Sequence, residues 1–140
     1  MPGCVLRVVG EDFDPRPMLA TLSFEPYSVF CKGDERFPHG TRDDKREKMG
    51  GFQCEVSSAD GLIGEEVGDA LEFLGRYQAD LRRLSSIPEI ESMTLDFGYW
   101  LRIDGERCIA QFDYLPPELL RLAGEMGIGI ELSLYPILQR

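Results

Sequence analysis

Histidine is almost missing from this chain: His39 is the only one in 140 residues. One imidazole cannot build a typical zinc site, and its polar surroundings keep it from pairing with a nucleophile unless that stretch folds back. The four cysteines, Cys4, Cys31, Cys54 and Cys108, include no Cys-x-x-Cys pair, which excludes the usual metal and redox spacings. Positive charge is scarce as well, 15 Lys and Arg against 25 Asp and Glu, for a net charge of −10. A nucleic-acid or anionic-membrane surface needs the opposite balance. No apolar run approaches the roughly 20 residues that cross a bilayer. The amino-terminal residues Met-Pro-Gly-Cys-Val-Leu-Arg-Val-Val lack the basic and apolar regions of a secretory signal, so a cytoplasmic location is expected. Gly124-Glu-Met-Gly-Ile-Gly129 is not a phosphate loop, because it lacks the required glycine spacing and follows a helix, where Gly127 acts as a C-cap. These absences leave no catalytic, cofactor or metal assignment.

What is present reads as one domain spanning 1–140, with 43% hydrophobic and 29% charged residues, both ordinary for a globular chain. The strongest pattern is 95–103, where Leu95, Phe97, Tyr99, Leu101 and Ile103 share one face at period two. Asp96, Gly98, Trp100 and Arg102 share the other. Asp104-Gly105 offers hairpin chemistry, and a second alternation follows, with Cys108, Ala110, Phe112 and Tyr114 on one side. Leu115-Pro-Pro opens a short helix that Gly127 ends, and Ile128 to Leu134 closes with another strand.

Earlier in the chain, 5–9 is a strand. Asp14-Pro15 starts a short helix to about residue 22, and strands at 27–32 and 52–57 flank a charged flexible loop near 34–50. Between Lys32 and Lys48, six basic residues meet five acidic ones, so this segment is near +1 and the rest carries about −11. Val67, Ala70, Leu71, Leu74, Tyr77, Leu81 and Leu84 recur at three- and four-residue steps and predict one long amphipathic helix over 65–85. The expected fold is α+β: a mainly antiparallel sheet of about six strands, in ferredoxin-like β-α-β-β-α-β order followed by β-α-β. The long helix packs on one face and buries Leu95, Phe97, Leu101 and Ile103.

Several short stretches, Leu6-Arg-Val-Val-Gly10, Asp12-Phe-Asp-Pro15, Pro26, Lys32-Gly-Asp34, Tyr99-Trp-Leu101, Leu115-Pro-Pro-Glu-Leu-Leu120 and Leu132-Ser-Leu-Tyr-Pro136, together resemble the bacterial family catalogued as domain of unknown function 4279. The resemblance implies a small bacterial α+β domain and supplies no catalytic residues; 35–49 lies outside it.

Two functional readings follow from the residues. The first is a non-enzymatic acidic binding domain, of the immunity-inhibitor or accessory type, that meets a basic protein through Glu65, Glu66, Asp69 and Glu72 on the outer face of the helix start. Complementary charge speeds such association. Trp100 and Arg102 join this site if their side of the sheet is open, as an aromatic and arginine patch; if a helix covers it, Trp100 is core. The second reading is a small enzyme with its site between the 35–49 loop and the sheet. Asp96 and Asp104 are the nearest thing to a carboxylate pair, against the plainer reading of solvated ion pairs with arginine. No nucleic acid, membrane, cofactor or metal is expected, and the sequence leaves the oligomeric state open.

Overall fold

A computed structural model describes residues 2–34 and 47–137. Five strands form one sheet: β1 (Gly3–Gly10), β2 (Ser28–Phe30), β3 (Gly50–Ser57), β4 (Ser92–Leu101) and β5 (Ile128–Pro136), in the spatial order β2-β3-β1-β4-β5. The first four pair antiparallel with one another, with β3 entering the gap between β1 and β2. β5 joins β4 in parallel, Met93 opposite Ile128 and Trp100 opposite Tyr135. The helices are α1 (Ile63–Arg76), α2 (Gln78–Ser85) and α3 (Pro117–Glu125), with a 3-10 turn at Arg16–Thr21.

The α+β class stands, with four corrections. The sheet is mixed and has five strands. The sixth, expected over 108–114, does not form; its alternating side chains are used differently, as described below. The expected helix over 15–22 is the 3-10 turn Arg16–Thr21, which follows the buried Pro15 and has no buried side chain of its own. The single helix over 65–85 is two. It breaks at Tyr77 (φ −106°, ψ 24°), where the ring packs 5.1 Å from Phe24 and 4.8 Å from Phe73.

Alternation along the strands divides the sheet cleanly. Cys4, Leu6, Val8, Phe52, Cys54, Met93, Leu95, Phe97 and Tyr99 face the helices and are buried. Val67, Ala70, Leu74, Leu81, Leu84, Leu119 and Ala123 meet them from above. Leu101 is only partly buried and Ile103 is exposed, because β4 ends at Leu101 and the helix layer stops short of it. The four cysteines are unpaired thiols, and burial pushes Cys54 up to about 11. Among the described residues, no helix is long and apolar enough to cross a membrane.

The opposite face is polar. Arg7 lies 3.5 Å from Asp96 and 3.4 Å from Glu131, Ser133 donates to Asp96 at 2.6 Å, and Tyr27 donates to Gln53 at 2.6 Å. Asp96 is thus committed to Arg7 and Ser133. Asp104 instead receives the backbone N–H groups of Glu106, Arg107 and Cys108, which hold its carboxyl below the usual range. The two carboxylates share no partner and are no acid–base pair.

Candidate protein-interaction site

The site is made where β4 runs out. Beyond Leu101 the strand has no neighbour to replace it, and the side chain of Gln111 substitutes for one. Its Oε1 accepts from the Arg102 backbone N–H at 2.7 Å, and its Nε2 donates to the Trp100 carbonyl at 3.3 Å and to Asp113 at 2.9 Å. Arg102 also donates to Asp113 at 2.7 Å. Burial opposes ionisation of Asp113, but bonds from Arg102, Gln111 and Tyr99 outweigh it and keep the carboxyl below the usual range. Gln111 and Asp113 therefore both point back at β4. Alternation then forces Phe112 and Tyr114 outward, and they are 88% and 74% exposed.

The facing wall comes from the turn that starts α1. Gly61 has φ +77° and its carbonyl accepts from the Trp100 N–H at 3.4 Å. The Trp100 indole donates to the Asp60 carbonyl at 3.1 Å and packs against Gly61, so close that a Cβ there would sit 2.2 Å from Nε1. The backbone N–H groups of Glu65 and Glu66 both reach the Leu62 carbonyl at 3.0 Å, and the Leu62 side chain stays exposed. Between the two walls runs a groove of about 810 Å³ lined by Leu62, Ile63, Glu65, Trp100, Phe112 and Tyr114, among others. Its surface is chiefly aromatic and aliphatic, with Glu65 and the Arg102–Asp113 ion pair also in its lining.

Of the residues expected at a binding surface, Glu65, Trp100 and Arg102 come together in this groove. Asp69 and Glu72 border a separate depression beside Phe73 and Tyr77, where Asp69 accepts from Ser57 at 2.6 Å and Glu72 lies 3.7 Å from Arg76. Glu66 is a correction: it is not on the outer face but 0% exposed. It stands one helical turn before Ala70, on the seam that continues to Phe73, and this spacing was readable in the sequence. Trp100 is half-buried, because the turn 60–61 covers one side of its ring. Phe112, Tyr114 and Leu62 were not anticipated, the first two because a period-two pattern was read as a paired strand. Residues 35–46, central to the enzymatic alternative, lie outside the described residues. No group of three or more potential metal ligands occurs among the described residues.

The arrangement is that of a small two-layer α+β domain presenting an apolar groove at one end of its sheet. The family described as Domain of unknown function (DUF4279) matches residues 2–136, and the chain belongs to it. No match emerges among curated proteins or among solved structures.

Proposed function

We propose that this protein is a non-enzymatic binding domain whose groove beside Trp100 takes a basic protein partner. The observation that carries the reading is the outward fixing of Phe112 and Tyr114. Gln111 and Asp113 are fully engaged with β4, so the two rings cannot turn inward without breaking those bonds. Exposed aromatic surface next to Leu62 and Trp100 is costly in water and is typical of surfaces that bind proteins. Burying one such ring stabilises a complex by roughly 1.5–3 kcal/mol.

The choice of a basic partner rests on charge. The chain carries −10, Glu65 stands at the groove, and the Asp69 and Glu72 depression continues along the same helix. Association should be fast at low salt and slow as ions screen it, with a Debye length of about 10 Å at 0.1 M. An immunity-type inhibitor or an accessory protein fits these properties. The bacterial cytoplasm is the setting we assign, in keeping with four unpaired thiols.

Site-specific photo-crosslinking tests the reading. A photoreactive residue at position 112 should capture one basic protein in living cells, while the same residue at position 55, on the polar sheet face, should not. Equal capture at both positions, or none at 112, contradicts the proposal.

A further inference from the structure

The first turn of α1 contains a carboxylate without a partner. Glu66 is fully buried, and neither of its carboxylate oxygens receives a hydrogen bond. Asp96 acts on it from the opposite face of the sheet, where it is paired with Arg7; the titratable groups on its own side are Cys4 from β1, Asp69 from its own helix and Tyr99 from β4. None of them is a cation. Burial holds the Cys4 thiol strongly in its neutral form, and burial also keeps the Tyr99 phenol protonated. β3 contributes the Ser57 hydroxyl, which is spent on Asp69, and α3 presents Leu119 and Ala123 to the core. Burial first, then Asp96 and Asp69, push the Glu66 carboxyl up to about 7.

A neutral carboxyl is tolerated in such a place at moderate cost. An ionised one with no counter-charge is not, and must reach water. Glu66 belongs to the turn that borders the groove, between the lining residues Glu65 and Val67. The residues just before it, Gly61, Leu62, Ile63, Gly64 and Glu65, are the groove wall, and the turn is held to Leu62 by the Glu66 N–H itself. No side chain caps this helix start, so its hold rests on packing and on the bonds of Glu65 and Glu66 to Leu62 and of Trp100 to Asp60 and Gly61.

We propose that Glu66 is a proton-operated latch on the groove: protonated, it lets the first turn of α1 close against Trp100; ionised, it loosens that turn and displaces the groove wall. The inference deepens the reading of the groove as a binding face and rests on it. The consequence is a binding surface that is formed in slightly acidic surroundings and weakened in alkaline ones.

Trp100 is the only tryptophan and lies on Gly61, so its emission reports the wall directly, with no partner required. In the wild-type chain the emission should shift between pH 5.5 and 8.5 with a midpoint near 7. Glu66→Gln should abolish the shift. His39→Gln, which removes the only histidine, should leave it intact. Should Glu66→Gln not fold by far-UV circular dichroism, carboxyl-13C NMR of the wild-type protein decides: the Glu66 signal must titrate near neutrality in step with the Trp100 indole. An absent wild-type shift, a shift that survives Glu66→Gln or vanishes with His39→Gln, or a Glu66 carboxyl titrating in the ordinary range overturns the latch. None of these outcomes bears on crosslinking at position 112, so the latch and the binding reading fail separately.

Discussion

Trp100 and Gly61 are locked together: the Trp100 N–H donates to the Gly61 carbonyl at 3.4 Å, and the indole occupies the space where a side chain at 61 would stand. Gly61 also has φ +77°, which a residue with a Cβ adopts only under strain. Gly61→Ala should therefore destabilise the fold by about 1–3 kcal/mol, from strain and overlap together. It should also expose Trp100. Chemical denaturation and the emission maximum check both effects.

Stability should depend on pH through Glu66, and the sign is fixed. Its folded-state value is raised to about 7 from the ordinary 4.5, so the folded chain holds a proton that the unfolded chain has released. The contribution is fully present below pH 4.5 and is lost as pH rises through 7, on the order of 3 kcal/mol in all. The melting temperature of the wild type should fall from pH 5 to pH 8. Glu66→Gln should melt at nearly the same temperature at both.

Gln111 holds the segment after β4 by three hydrogen bonds. Gln111→Ala leaves the Arg102 amide and the Trp100 carbonyl without this partner, at about 0.5–1.5 kcal/mol, since the Arg102 amide is open to solvent. Amide exchange at Arg102 should accelerate, while Leu6 and Leu95 in the sheet centre keep their protection. Unchanged exchange at Arg102 would refute the role given to this side chain.

Leu95 is fully buried on the central part of β4, between β1 and β5. Leu95→Ala should cost about 2–5 kcal/mol. Ile103→Ala, beyond the end of the strand and exposed, should cost under about 1 kcal/mol. Equal effects in denaturant would contradict the strand boundary at Leu101.

The contrast between 95–101 and 108–114 marks what the sequence could tell. Both alternate at period two with an apolar set on one side. In the first that set faces the helices and burial determines the strand; in the second Phe112 and Tyr114 face solvent while Gln111 and Asp113 turn to the end of β4, so apolar alternation alone points the wrong way. Hydrogen bonding to β4 decides it, through partners nine and eleven residues away in sequence. The parallel pairing of β5 was hidden for a related reason. Ile128, Ile130, Leu132 and Leu134 specify a strand, whereas its direction comes from the crossover through α3. Glu65 and Trp100 were identified as surface candidates but their meeting in one groove depends on the Gly61 turn. Glu66 was misjudged because charge was weighed above its place on the buried helical seam.

The central claim is that the groove at Phe112 binds a protein. Calorimetric titration of the purified crosslinked partner into wild-type protein and Phe112→Ser measures it most directly. Phe112→Ser should leave the melting temperature unchanged, since the ring is solvent-exposed, and weaken the Kd at least about tenfold, equivalent to about 1.4 kcal/mol or more. An equal Kd for the two proteins would contradict it.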